Sequence, residues 1–216
     1  MYVLADRLGP SCLMPPSFLS VPPCRDVLNV LGMYPGDPGP PGGDCAGVVL
    51  RGHVRHGDTV IAGPGDAVFG LAAGSLGSHV IASSKTVVPM PPSVTFEEAA
   101  TMPTVFITVD TALHRIAALA PGHRVLVHAA AGGVGLAAMQ LIQAVGAAAL
   151  ATAGSPAKRA LLRSLGAQHV VSSRDTAFAS ELALQVIRWR LSRGKIMCHC
   201  AGHVPSPQQP WWIAPC

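Results

Sequence analysis

From Val125 to Ala157 the chain carries no Asp, Glu, Lys or Arg. An uncharged apolar stretch of that length has two physical outlets. It crosses a bilayer as one helix, or it is buried on all sides within a folded domain. The glycines decide between them. Gly132, Gly133 and Gly135 break a single helix early, Gln140 and Gln143 fall inside it, and Gly146 closes it. A membrane span must satisfy its backbone within the segment and suits such breaks poorly. The run is therefore predicted as strand, helix and strand inside an α/β core, with no membrane segment.

Periodicity fills in that outline. Residues 124–129 read as a buried strand, and residues 134–145 as a helix with Val134, Ala138, Leu141, Ile142 and Val145 on one face. A second strand follows at 148–153, then a helix at 156–165 with Pro156 in its first turn, then a third strand at 169–172. Strands alternating with helices specify a parallel sheet covered by helices. Upstream, Ser93 and Thr95 before Glu97 and Glu98 predict a helix start leading into the apolar stretch beyond, because acids in a first turn meet the exposed amides.

Residues 45–90 have another character. Short β-rich runs at 45–50, 59–62, 67–71, 78–82 and 86–89 are bounded by Gly, Asp or Pro, which predicts a small, mostly antiparallel β unit. Residues 25–31 form a short amphipathic segment before Gly32, and residues 35–43 are a Pro- and Gly-rich loop. The expected organisation is residues 1–23 irregular and unassigned, 24–94 a β unit, 95–182 an α/β unit, and 183–216 a tail that matches nothing recognised.

Charge and composition exclude several functions. Net charge is +4, the basic residues are scattered apart from Arg188, Arg190, Arg193 and Lys195, and 5% of residues are aromatic, so no nucleic-acid surface is expected. The six cysteines include no CxxC pair, and Cys198, His199 and Cys200 crowd too closely for a zinc ribbon, so no metal is expected. The N-terminal residues lack the basic start and apolar core of a signal peptide. Reduced thiols and a cytoplasmic setting fit that pattern.

The chemistry concentrates in His128-Ala-Ala-Ala-Gly-Gly-Val-Gly135, which follows a predicted strand and opens a helix. Such a turn suits a dinucleotide, because bare backbone approaches a pyrophosphate while the helix start supplies unpaired amides. A glycine turn serving packing alone is the competing reading. After the second strand an NAD site would place an acid, but the chain reads Thr152-Ala-Gly-Ser155-Pro-Ala-Lys158-Arg159. A hydroxyl at Ser155 and cations at Lys158 and Arg159 would pair with a 2′-phosphate, so NADPH is the expected cofactor. Taken alone, Lys158 and Arg159 would be ordinary solvated helix residues.

These stretches carry a resemblance. Arg25-Asp-Val-Leu-Asn-Val-Leu-Gly-Met-Tyr-Pro-Gly36, Gly43-Asp-Cys-Ala-Gly-Val-Val49, Gly70-Leu-Ala-Ala-Gly-Ser-Leu-Gly-Ser-His-Val80, Ala99-Ala-Thr-Met-Pro-Thr-Val-Phe106, Val125 to Gly135 and Ser172-Ser-Arg-Asp-Thr-Ala-Phe178 occur in order. They resemble the enoyl reductase domains of polyketide synthases and, more distantly, of animal-type fatty-acid synthases. Those domains are zinc-independent members of the medium-chain dehydrogenase/reductase superfamily. The resemblance covers about residues 25–182.

It implies a GroES-like β domain joined to a Rossmann domain with the cofactor between them. It also implies hydride transfer from NADPH to the β-carbon of a 2-enoyl thioester on acyl carrier protein, then protonation of the α-carbon, in company with other synthase domains. Ala131, Gly132, Gly133, Val134 and Gly135 fall on the family's pyrophosphate turn. Tyr34 matches a tyrosine placed in part of the family to deliver the α-proton, and Thr104 and Thr108 fall where the family lines the nicotinamide pocket.

The chain also departs from the pattern. Pro22, Pro23 and Cys24 stand where the family reads Leu-Asn-Phe, and the strand before them is not recognised. The downstream Lys and Asp proposed to act on substrate find no match, so the Rossmann half is expected to be truncated. Two rival functions remain at this stage, a free-standing NADPH quinone reductase of the same superfamily and an inactive nucleotide-binding or interaction fragment.

Overall fold

The short β-rich runs of the first half become strands, each ending where Gly, Asp or Pro interrupts the ladder. In the computed structural model, which describes residues 11–14, 24–37, 39–77, 79–174 and 196–199, the order begins with β1 (Ser11–Met14) and α1 (Cys24–Val30). Then follow β2 (Asp44–Val48), β3 (Val54–His56), β4 (Thr59–Ala62), β5 (Ala67–Leu71), β6 (Val80–Ser83) and β7 (Val87–Pro89). All their pairings are antiparallel: β1 with β6, β2 with β5, β5 with β7, and β3 with β4. The small sheets share one core of Cys45, Val49, Val54, Ala62, Val68, Ala72, Val80, Ala82 and Val87. Strands of three to five residues hold together because alternate side chains from every sheet meet there.

Helix α2 (Phe96–Ala99) opens with a reciprocal cap. Glu98 N donates to Thr95 Oγ1 at 3.2 Å, and Thr95 N donates to Glu98 Oε2 at 3.0 Å. The sequence predicts this start but lets the helix run on. The helix instead stops at Ala99, and α3 (Pro103–Val109) restarts at a proline, which lacks the N–H that a continuous helix needs. A π-helix (Asp110–Ile116) continues it, with Asp110 accepting from Arg115 Nε at 2.9 Å.

Two units result, Met1–Thr104 and Val105–Cys216. In the second, β8 (Arg124–Val127), α4 (Gly133–Ala144), β9 (Ala148–Ala153), α5 (Pro156–Ser164) and β10 (His169–Ser172) alternate along the chain. A last strand, β11 (Ile196–His199), completes a parallel sheet in the order β10-β9-β8-β11. Val125, Val127, Ala149, Ala151 and Ala153 line its core with Ala138, Met139, Ile142 and Leu162 of the covering helices. Five of the six residues of β9 are buried, as a central parallel strand covered on both faces requires.

Three expectations change here. Ser11–Met14 was expected to be irregular and is a strand, because its partner is β6 and not a sequence neighbour. Ile196–His199 lies in the unmatched tail and pairs with β8. The expected α4 face shifts: Gly135, Ala137, Ala138, Met139 and Ile142 are buried, whereas Val134, Leu141 and Val145 are partly exposed. The basic cluster from Arg188 to Lys195, the readings of residues 1–10 and 15–23, and the end of the tail from Cys200 lie outside the described residues. Among the described residues no helix is long and apolar enough to cross a membrane.

Candidate functional site

The turn after β8 is built from the smallest side chains available, and its three glycines serve different ends. A Cβ on Gly135 would lie 2.5 Å from Ala130 Cα and 2.6 Å from its carbonyl atoms, all backbone, so the helix packs on the turn at a distance no other residue permits. At Gly132 the nearest atom to an added Cβ is Ala129 O at 3.4 Å, and at Gly133 it is Val105 Cγ1 at 3.4 Å, both ordinary contacts. Gly132 adopts φ −90° and ψ 172°, open to any residue, and both glycines are exposed. Internal packing thus requires Gly135 and leaves Gly132 and Gly133 unexplained. Gly132 is the N-cap of α4 and supplies no side-chain acceptor, so the first amides of a twelve-residue helix meet no cap there.

The bend itself is held from β9. Ala129 sits at φ 49°, a left-handed conformation unusual for alanine. Its N–H donates to Thr152 Oγ1 at 3.2 Å, and Ala130 N donates to Thr152 O at 3.0 Å. His128 Nδ1 lies 3.3 Å from the same hydroxyl, and burial holds this imidazole below its usual pKa range.

At the end of β9, Ser155 caps α5, its hydroxyl accepting from Lys158 N at 3.3 Å. A capping hydroxyl spends a lone pair and keeps its proton to donate. Lys158 is exposed. Arg159 Nη1 donates to Ala153 O at 3.3 Å and to Gly154 O at 3.1 Å, which fixes its guanidinium at the strand end. A second guanidinium joins it, since a Cβ on Gly154 would lie 2.7 Å from Arg174 Nε and 3.0 Å from Arg174 Nη2. Among the described residues neither arginine nor Lys158 has a carboxylate partner. Sequence reasoning missed Arg174, although it lies within a quoted motif; the available signal was a lone base directly after the third strand.

The first unit holds a separate group. A cleft of about 510 Å³ is lined by Leu71, Ala72, Ala73, Ile81, Thr86 and Thr104 among others. Buried Asp44 accepts from Thr104 N at 2.8 Å and from Thr104 Oγ1 at 2.6 Å. Burial raises the pKa of Asp44 against the lowering effect of those two bonds, and the nearby Asp26 carboxylate raises it further. Asp44 was also missed; its signal was an acid opening an otherwise apolar strand. Tyr34 stands half-buried in the bend after α1 and is not among the cleft-lining residues. Thr108 is exposed on α3 in the second unit. Of the expected site residues, Ala131 to Gly135 and Ser155, Lys158 and Arg159 therefore gather at the ends of two adjacent strands, β8 and β9.

Residues 133–187 match the family described as zinc-binding dehydrogenase. The polyketide synthase GfsB of Streptomyces halstedii is 50% identical over 159 residues, spanning 73% of this chain and 3% of that protein. The crystal structure of the CurK enoyl reductase superposes with a TM-score of 0.69 at 34% identity, covering 86% of this chain and 58% of that one. The chain belongs to the medium-chain dehydrogenase/reductase superfamily.

The fold class is that of the superfamily, a GroES-like β domain with a truncated Rossmann domain. A further superfamily structure, the Escherichia coli quinone oxidoreductase complexed with NADPH, superposes with a TM-score of 0.72 at 26% identity, covering 86% of this chain and 57% of that one. The chain thus spans under two thirds of each of these two solved relatives and a small fraction of the synthase. Zinc does not fit the residues at hand. The matched stretch 133–187 contains no cysteine and a single histidine, and the described residues bring together no group of three or more His, Cys, Asp or Glu able to hold a metal ion.

Proposed function

We propose that this chain binds NADPH and serves in the reduction of a 2-enoyl thioester carried on acyl carrier protein, alongside the other domains of a polyketide synthase. The observation that carries the cofactor reading is the pair Gly132 and Gly133: exposed, in ordinary backbone, with room for a methyl group, at a helix start without a side-chain cap. Nothing among the described residues calls for glycine at either position. A diphosphate does, because its oxygens must come within hydrogen-bond reach of the amides. Two guanidinium groups at Gly154, those of Arg159 and Arg174, have no carboxylate partner among the described residues; with the exposed Lys158 on the same helix and the proton left on Ser155 they support a 2′-phosphate, since guanidinium groups favour dianionic oxygen. The named complexes of solved relatives point the same way.

Bound NADPH would supply the hydride for the β-carbon of the enoyl group. The chain's own residues do the rest. Amides from Gly133 onward neutralise the diphosphate, and Arg159, Arg174, Lys158 and Ser155 fix the adenosine end. Tyr34 gives a proton to the α-carbon. Thr104, whose hydroxyl proton goes to Asp44, offers lone pairs to a donor in the apolar cleft. Thr108 is assigned to the nicotinamide end on family resemblance alone.

The substrate reading is supported by identities of 40–50% to several polyketide synthases. A second reading has support of its own, because several solved relatives are named quinone oxidoreductases. One experiment separates them: NADPH consumption is followed with a short 2-enoyl thioester and, separately, with a quinone. Thioester reduction supports the enoyl reductase, and turnover of the quinone alone rejects it.

A further inference from the structure

We infer that Thr152 is a positioning residue that holds the bend after β8 in the shape that presents the first amides of α4 to a diphosphate. This rests on the NADPH reading above and assigns a role to a residue that touches no ligand in it.

Ala129 is the strained residue of the bend. A left-handed alanine is disfavoured by its own Cβ, so the surroundings must hold it there. Thr152 does so twice: its hydroxyl accepts from Ala129 N, and its carbonyl accepts from Ala130 N. Gly132 N donates to Ala129 O at 2.9 Å and closes the turn. The next link is steric, since Gly135 rests against the Ala130 backbone and the helix start follows wherever Ala130 is held.

Thr152 is 0% exposed between Ala151 and Ala153, and valine would fill its volume. What valine cannot supply is the acceptor for Ala129 N. Freed of it, the peptide before Ala129 can rotate, and the amides of Gly133 and Val134 move with the turn. Hydrogen-bond chemistry gives the hydroxyl a fixed orientation as well. Having accepted from Ala129 N, it has one proton to give, and His128 Nδ1 lies 3.3 Å away. The carbonyls that follow, of Ala153 and Gly154, hold Arg159. One strand end therefore sets the spacing between the diphosphate turn and the cationic group.

The test uses the whole chain as wild type, Thr152→Val and Thr152→Ser, with thermal unfolding to verify cooperative folding of each. NADPH affinity is read by fluorescence titration, and adenosine 2′-monophosphate, which lacks the diphosphate, by competition. Thr152→Val is expected to weaken NADPH about tenfold, the scale of one lost hydrogen bond, while 2′-monophosphate affinity stays within about twofold. Thr152→Ser restores NADPH to within about twofold of wild type, and exchange of the Ala129 amide quickens in the valine variant alone. Equal NADPH affinity in wild type and Thr152→Val overturns the inference, as does a parallel loss of both ligands in both variants. If wild type binds no NADPH, the cofactor reading itself falls, and the inference with it.

Discussion

The ends of β8 and β9 lie side by side in one sheet and present opposite surfaces. Beyond β8 the chain offers Ala, Gly and Val, so whatever approaches meets backbone and the positive end of a helix. Beyond β9 it offers a hydroxyl, the guanidinium groups of Arg159 and Arg174 at Gly154, and the exposed Lys158 on α5. The first surface depends on what is left out, so any added side chain harms it sterically and salt does not restore it. The second depends on charge, so its loss is graded, and ionic strength moves it.

The comparison can be broken most severely at Gly135. Gly135→Val forces a Cβ to within 2.5 Å of the Ala130 backbone and is expected to cost about 3 kcal/mol or more, read as a fall in unfolding midpoint with or without ligand. Gly132→Ala should do the reverse. With its nearest neighbour at 3.4 Å, it is expected to change stability by no more than about 0.5 kcal/mol while weakening NADPH about tenfold or more. If Gly132→Ala binds NADPH as tightly as wild type, this turn is a packing device only.

At the β9 end, Arg159→Ala with Arg174→Ala is expected to reduce NADPH affinity by about tenfold to a hundredfold and leave NADH nearly unchanged. Raising salt should shrink that difference. A loss shared equally by both nucleotides would show that the arginines do not read a 2′-phosphate. The smallest effect concerns His128. Because burial lowers its folded pKa, stability from the neutral ring is present above the ordinary value of 6.5 and declines as pH falls toward the folded pKa. Denaturation midpoints at neutral and mildly acidic pH should show that decline, and His128→Gln should flatten it.

Legibility in the sequence followed the range of the interactions. Strands at 59–62, 67–71, 148–153 and 169–172 were read with the bounds the structure gives, since Gly, Asp and Pro punctuate them locally. The cap at Thr95 and Glu98 was equally local. β1 and β11 could not be read this way, because four-residue strands exist only through partners about 70 residues away in sequence. Pro103 to Val109 is rich in β-branched residues, yet it forms a helix on which Val105 and Val109 pack against the core. The glycine turn was visible as a motif, but only coordinates separate the glycine required by packing from the two that are not. Arg174 was hidden for a similar reason: its nearness to Gly154 spans twenty residues of chain.

The π-helix from Asp110 to Ile116 has a consequence for anyone aligning or redesigning this region. A π turn holds one residue more than an α turn, so an alignment drawn through it without a gap slips by one position. One position on an α-helix is a rotation of about 100°. Deleting a single residue there would straighten the hydrogen-bond ladder, yet it would swing Val105 and Val109 off the core they now face. The irregularity thus acts as a phase setting, and a more regular helix would be the wrong one.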